Sequence, residues 1–124
     1  MAYIKEYSTG RRIVEIDERY IKNYSSGRRD YEIDGNYVKE YSSGKRIYEI
    51  DNNYIKEYSS GRRLYEADSR YLTDYNSGRR LLEFDGNYIK EYMSGRRLFE
   101  IDGYISRTCL LAFLMINWWY NNKG

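Results

Sequence analysis

A unit of 17 residues occurs six times in succession along this chain, and this repetition limits the possible folds more than any other feature. The copy at residues 54–70, YIKEYSSGRRLYEADSR, shows the unit most clearly. A unit this short cannot form a pair of packed helices, but it suffices for two strands and two turns. Runs rich in Tyr and Ile between Gly-containing segments are typical of strands, and the chain contains no Pro. The six copies begin at Tyr3, Tyr20, Tyr37, Tyr54, Tyr71 and Tyr88.

Each unit contains two predicted turns. Ser59-Ser60-Gly61 and its equivalents predict a three-residue hairpin loop, in which a type I turn is closed by Gly in the left-handed conformation. The second turn is represented by Asp34-Gly35-Asn36, whose residue types are those of tight turns. The sequence therefore predicts a tandem array of β-hairpins.

Charge pairing indicates the register of the strands. Across the first turn we predict that Tyr58 pairs with Arg62, which places Glu57 opposite Arg63. Opposite charges that face each other across two strands stabilise the sheet by roughly 0.2–1 kcal/mol for each pair. A shift of one residue would lose this match, so the charges favour one register.

The second turn supports the same register, since pairing Asp51 with Tyr54 places Glu49 opposite Lys56. The register then assigns alternate residues to two faces of the sheet. One face carries Tyr54, Lys56, Tyr58, Leu64, Glu66 and Asp68, and the other carries Ile55, Glu57, Arg63, Tyr65 and Ala67.

The second face is the predicted core, because three of its positions stay apolar in all copies while they vary in size. The opposite face repeats tyrosine with Lys and Glu and is predicted to face solvent. The core columns are Ile4, Ile21, Val38, Ile55, Leu72, Ile89; Val14, Tyr31, Tyr48, Tyr65, Leu82, Phe99; and Ile16, Ile33, Ile50, Ala67, Phe84, Ile101.

The repeats occupy residues 1–104, and residues 105–124 form an apolar tail. A seventh strand is predicted to begin at residues 104–106, after which the repeat pattern breaks. The segment CLLAFLMINWWY is apolar on nearly every side, which favours a helix buried in protein. A helix of this length reaches about 18 Å, short of the roughly 30 Å of a bilayer core, so stable membrane insertion is disfavoured. The residues predicted to act as a plug, a cap or an oligomer contact are Leu110, Leu111, Phe113, Leu114, Ile116, Trp118 and Trp119.

The predicted fold is all-β, an antiparallel sheet of about twelve strands followed by a short C-terminal helix. Twelve strands at about 4.8 Å spacing make a sheet roughly 58 Å wide, which a helix about 10 Å across cannot cover. The sheet must therefore curl into a barrel or spiral around the tail, or pair with another copy. The sequence leaves these solutions open.

The string YSSGRRLY that begins at Tyr58, repeated along residues 3–104, resembles the tyrosine-aspartate (YD) repeats of Rhs-type bacterial proteins. Those repeats share a Tyr-x-x-Gly-Arg core, and the resemblance implies a spiralling sheet of β-hairpins. It implies an architecture and no activity, since the chain is far smaller than the shells that such repeats build around a cargo.

No catalytic, cofactor-binding or metal-binding residues are predicted. Histidine is absent, so the commonest general base and metal ligand is missing, and Cys109 has no base to activate it. One carboxylate in each Asp turn supplies too few oxygen ligands for calcium. We therefore expect no enzyme. Without an apolar segment after Met1 or a pair of cysteines, a cytoplasmic location is expected.

Two repeated surface features are the candidate binding residues. Basic residues just past the Gly turns could contact a polyanion or the acidic edge of another copy, and tyrosines could form a ladder on the outer face. The basic residues are Arg11, Arg28, Lys45, Arg62, Arg79 and Arg96. The tyrosines are Tyr7, Tyr24, Tyr41, Tyr58, Tyr75 and Tyr92.

The leading hypothesis is a structural or interaction protein that self-associates into a homo-oligomer through its sheet and its tail. It depends on uncovered apolar area, on the tail and on edges of opposite charge. The alternative is a binding module for an extended polymer, a glycan or a nucleic acid, although the net charge of only +2 disfavours nucleic acid. A lesser alternative is a small inhibitor of a protein partner.

Overall fold

The structure, a computed structural model, describes residues 1–119, apart from the side chains of Trp118 and Trp119. It consists of twelve strands and one helical segment. The strands are β1 (Ala2–Glu6), β2 (Arg12–Asp17), β3 (Tyr20–Asn23), β4 (Arg29–Asp34), β5 (Tyr37–Glu40), β6 (Arg46–Asp51), β7 (Tyr54–Glu57), β8 (Arg63–Ala67), β9 (Tyr71–Asp74), β10 (Arg80–Asp85), β11 (Tyr88–Glu91) and β12 (Arg97–Asp102). The helix α1 (Arg107–Phe113) continues directly into a π-helix (Leu114–Trp119).

The sheet closes on itself. Every strand is antiparallel to its neighbours in the chain, and β1 pairs with β12 through Tyr3 opposite Asp102 and Ile4 opposite Ile101. Closure gives each described strand two partners and leaves no open sheet edge among them. The predicted all-β fold is confirmed, and of the three solutions left open by the sequence the molecule adopts the barrel.

The Gly loops are one residue longer than predicted. Glu57 N donates to Arg62 O at 2.9 Å and Gly61 N donates to Glu57 O at 2.8 Å, so residues 58–61 form a four-residue loop. Tyr58 does not pair with Arg62, because its N donates to Ile47 O in the preceding hairpin at 3.1 Å.

A β-bulge follows each Gly loop and reverses the predicted direction of one side chain. Ile55 pairs with Tyr65 but Lys56 pairs with Arg63, so Leu64 is the extra residue. Leu64 is partly buried against the core instead of lying on the outer face. Arg63 projects to the outside, where it lies over the ring of Tyr54, so its predicted inward position was wrong.

The predicted ion pair between Glu57 and Arg63 was wrong for the same reason. Glu57 Oε1 instead accepts a hydrogen bond from Ser60 Oγ at 2.7 Å, inside the loop.

At the opposite end of the barrel the tight turns agree with the prediction. Asp51 pairs with Tyr54 and Glu49 with Lys56, whose Nζ lies 3.7 Å from the Glu49 carboxylate. Asn52, the residue after Asp51, has a φ of 59°. A positive φ at the first turn position is typical of the tight hairpin turns that match strand twist.

The three predicted core columns line the lumen of the barrel. Their members are buried or packed against the buried cluster. The ring of Ile4, Ile21, Val38, Ile55, Leu72 and Ile89 is the most completely enclosed, with every side chain at most 2% exposed.

The tail fills this lumen. No seventh strand forms at Tyr104, which is 84% exposed, because the chain turns at this point into the helix. Ser106 caps α1 by accepting a hydrogen bond from Cys109 N at 3.2 Å. Arg107 donates to Ala67 O at the Asp-turn end, and Ile116 lines a cleft together with Ser42 at the Gly-loop end. The helical segment therefore runs the height of the barrel.

Five consecutive tail residues, 111–115, are at most 1% exposed. Of the residues predicted to form a plug, Leu111, Phe113 and Leu114 belong to this run, while Leu110 and Ile116 are partly buried against the core. The prediction for Trp118 and Trp119 concerns their side chains, which lie outside the described part of the chain. Among the described residues, no helix has the length and apolar character needed to cross a membrane.

Gly103 lies at the junction between β12 and the tail, and its substitution is expected to destabilise the fold. Gly103 has a φ of 101°, and a Cβ there would lie 2.9 Å from Met1 O and 3.2 Å from Ala2 Cα. We expect Gly103→Ala to lower the free energy of unfolding by about 2–4 kcal/mol, because it adds a backbone clash at the barrel seam to the left-handed strain. Urea denaturation measures this loss.

Gly86→Ala is the matched control for Gly103→Ala. Gly86 also has a positive φ, 60°, but open space surrounds the added Cβ, so only about 1–2 kcal/mol of strain is expected. Equal losses in the free energy of unfolding for the two variants would show that the close approach of the added Cβ to residues 1 and 2 does not affect stability.

The protein is expected to lose stability at alkaline pH because of the buried tyrosine Tyr65. Burial, and then the charges of Asp74 and Tyr48, raise its pKa to about 12. The unfolded chain releases this proton near pH 10, so between pH 10 and 12 the folded state binds more protons and stability falls. At about 1.4 kcal/mol for each pKa unit, the loss reaches up to about 2–3 kcal/mol. Denaturation curves from pH 9 to 12 should show this loss, and Tyr65→Phe should flatten it.

Candidate binding surface

Two tyrosines and one arginine from each repeat meet on the outer wall and form a continuous tyrosine–arginine belt. The strand tyrosines, at the start of the short strands, are Tyr3, Tyr20, Tyr37, Tyr54, Tyr71 and Tyr88. The loop tyrosines, which open the Gly loops, are Tyr7, Tyr24, Tyr41, Tyr58, Tyr75 and Tyr92. The belt arginines, directed outward by the bulges, are Arg12, Arg29, Arg46, Arg63, Arg80 and Arg97.

Each strand tyrosine makes an edge-to-face contact with the loop tyrosine of an adjacent repeat. Tyr37 and Tyr58, for example, have ring centroids 5.6 Å apart and ring planes at 86°. The sixth pair, Tyr7 with Tyr88, joins the last repeat to the first across the seam. The belt therefore closes with the barrel, and each pair is worth about 0.5–1.5 kcal/mol beyond its buried area.

The belt arginines lie between the two kinds of tyrosine. The guanidinium carbon of Arg46 is 4.0 Å from the ring centroid of Tyr37 and 5.9 Å from that of Tyr58. The pKa of Arg46 is raised, chiefly by a side-chain hydrogen bond with Tyr58 and against a smaller effect of desolvation. The other five belt arginines repeat this arrangement at 3.9–4.0 Å from the strand tyrosines.

Acidic side chains neutralise much of the remaining positive charge on the wall. Lys56 Nζ lies 3.7 Å from carboxylate oxygens of both Glu49 and Asp51, and Lys22, Lys39 and Lys90 make similar pairs at 3.5–3.9 Å. At the seam, Arg12 Nη2 lies 3.0 Å from Asp102 Oδ2. The wall therefore presents paired charges and not a field of one sign.

The structure separates the two predicted sets of binding residues. The loop cations Arg11, Arg28, Lys45, Arg62, Arg79 and Arg96 are exposed at the Gly-loop end. Two of them form ion pairs within residues 1–119, Arg28 with Asp30 at 2.9 Å and Arg96 with Glu91 at 3.6 Å. The predicted tyrosine ladder lies lower on the wall, where it contacts the belt arginines. The sequence did not predict that this second arginine of each pair joins the tyrosines.

Sequence reasoning also missed Asp30. Five repeats have an aliphatic residue at the bulge, whereas the second repeat has Asp30, and a break in an otherwise apolar column was the available signal. Beside it an open cleft of about 350 Å³ enters the Gly-loop end of the barrel. The cleft is lined by Arg28, Asp30, Tyr31, Glu40, Ser42 and Ile116.

The part of the chain that the structure describes shows no candidate metal site. Residues 1–119 contain no group of three or more His, Cys, Asp or Glu side chains placed to hold a metal ion. Cys109 is buried in the lumen, with its Sγ 3.9 Å from Glu18 O.

No protein-family model, curated protein or solved structure matches this chain. The molecule is a closed barrel of tandem Tyr- and Arg-containing β-hairpins around its own C-terminal helix.

Proposed function

We propose that this chain is a non-enzymatic binding module whose tyrosine–arginine belt binds an extended polymer with repeating units. The observation that carries the proposal is the exposure of the loop tyrosines, each 40–44% exposed in the same setting in all six repeats. Equivalent aromatic rings suit a ligand that repeats, because any unit of the ligand can stack on any one of the rings.

The distribution of variation along the chain supports this proposal. The lumen columns differ from repeat to repeat, whereas Tyr, Tyr and Arg of the belt are the same in every copy. Edge-to-face contacts account for the pairing of strand and loop tyrosines. The exposed part of each loop tyrosine contacts no described residue and is therefore open to a ligand. Kinship with YD repeats is proposed only at the level of the hairpin unit.

Affinity electrophoresis tests the proposal. The folded protein is run through native gels that contain a neutral soluble glucan, heparin or single-stranded DNA. We expect at least one polymer to retard the protein, and the combined variant with all six loop tyrosines changed to Ser to lose at least tenfold in affinity, since stacking is worth about 1–3 kcal/mol for each contact.

The control for this experiment changes exposed residues at the opposite end of the barrel, Asn36→Ala with Asn87→Ala, and should bind as the unmodified chain does. A cooperative thermal transition verifies folding. If the combined variant does not fold, Tyr41→Ser with Tyr58→Ser and Tyr75→Ser replaces it and is expected to be retarded less than the control. The proposal fails if no polymer retards the protein or if the tyrosine variants bind as well as the control.

Self-association through the sheet and tail stays a prediction, with less support than polymer binding. Its sequence-based reasons were uncovered apolar area, the apolar tail and edges of opposite charge. Among the described residues the strands pair into a ring, and Leu111, Phe113 and Leu114 are buried in the chain's own lumen. Light scattering distinguishes the two, because a module that does not self-associate has the mass of one 15.1 kDa chain.

A further inference from the structure

We infer that the ligand of the belt is a neutral glycan and that the barrel carries several equivalent sites, so that one molecule cross-links separate glycan chains. This inference rests on the proposed function and adds the class of the polymer and the valency.

The neutrality of the ligand follows from how the cations of the belt are occupied. The guanidinium carbon of Arg63 lies 3.9 Å from the ring centroid of Tyr54 and 5.8 Å from that of Tyr75, and the other belt arginines are placed in the same way. Four wall lysines, Lys22, Lys39, Lys56 and Lys90, lie beside carboxylates. A phosphate or sulfate would have to displace these partners and would meet the carboxylates. A neutral ligand neither displaces these partners nor is repelled by the carboxylates.

The exposed surface that remains suits a sugar. Loop tyrosines such as Tyr41 and Tyr58 present aromatic surface near an arginine guanidinium, and each stands in the chain between a glutamate and a serine, whose side chains can form hydrogen bonds. A pyranose ring has an apolar C–H face and a rim of hydroxyls, so it can stack on the aromatic ring and hydrogen-bond to the charged pairs around it.

The multivalency follows from closure. Consecutive loop tyrosines are two strands apart, about 10 Å around the wall. Because six repeats complete the ring, successive sites point outward roughly 60° from one another. An extended, stiff polymer touches one site or two neighbours and then leaves the curved surface. Sites on the far side stay free for other chains, and weak single contacts add up through avidity.

The experiment mixes the full chain with hydroxyethylcellulose, a soluble neutral glucan, and follows particle size by dynamic light scattering at 50 and 500 mM NaCl. We expect large particles at intermediate molar ratios, their disappearance when either component is in large excess, and less than a twofold change in affinity with salt. Polyanion binding through several ionic contacts would weaken by about 10³-fold or more over such a range.

A variant with alternate sites removed, Tyr7→Ser with Tyr41→Ser and Tyr75→Ser, should retain glycan binding and form smaller particles. If that variant does not fold, calorimetric titration of the unmodified chain with a cellulose hexasaccharide measures the valency directly, and a stoichiometry above two is expected. A stoichiometry of one, or glycan binding without particle growth, would overturn the multivalency.

The same series separates the failure of this inference from failure of the proposed function. Retardation by heparin or single-stranded DNA alone, lost at 500 mM NaCl, would preserve the polymer-binding module and overturn the neutral glycan. Absence of binding to every polymer would overturn both.

Discussion

A chain that ends at Tyr104 is expected to lose its cooperative unfolding transition and to aggregate. Truncation removes the run of residues 111–115, each at most 1% exposed, and leaves an apolar lumen open to water. The barrel wall cannot collapse to fill this space, because its circumference is determined by twelve paired strands. Exposed aliphatic columns from all six repeats would then promote association between copies.

Circular dichroism during thermal unfolding, with light scattering of the same samples, measures this effect. The matched control ends at Trp119 and keeps every residue that the structure describes, so it is expected to fold as the full chain does. A chain ending at Tyr104 that stays monomeric and melts cooperatively would show that the barrel closes without its helix.

Phe113→Ala is expected to lower the free energy of unfolding by about 3–5 kcal/mol, the usual cost of deleting a buried aromatic ring from a close-packed core. Phe113 is fully buried, and its ring meets that of Phe99 edge to face with centroids 5.0 Å apart. Urea denaturation measures the loss. The cavity cannot close by a shift of the helix alone, because the wall surrounds it on all sides.

Leu110→Ala provides the comparison for Phe113→Ala within the same helix. Leu110 is only partly buried against the core, so we expect a loss of no more than about 2 kcal/mol. Equal losses in the free energy of unfolding for the two variants would contradict this prediction. They would show that the fully buried side of the helix packs no more tightly against the wall than its partly buried side.

Much of the local structure was predictable because its causes lie within one repeat. The inward columns follow from the two-residue period of a strand, as Ile55, Tyr65 and Ala67 illustrate. The tight turns and the facing of Glu49 and Lys56 follow from turn chemistry and charge. Asp30 also belongs to this local information, since its departure from the repeat is visible in the sequence.

The bulge was not predictable, and it changed the candidate site more than any other feature. One extra residue at Leu64 shifts the register, so Arg63 leaves the predicted inner face and joins Tyr54 on the wall. A simple alternation of apolar and polar residues fits the bulged and the regular strand nearly equally well. The choice depends on the four-residue loop and on packing of Leu64 against the core, which involve neighbouring hairpins.

By itself, the sequence determined the hairpin unit, the apolar face and the tyrosine-rich outer face, because each results from interactions within a repeat or between adjacent ones. Only the tertiary structure decided that six repeats close into one ring, that the tail enters the lumen and that the belt is continuous. The seam joins strands almost a whole chain apart, and repeats that are nearly identical carry no signal for where pairing stops. Closure depends on the accumulated twist of twelve strands and on a helix wide enough to fill the space that they enclose.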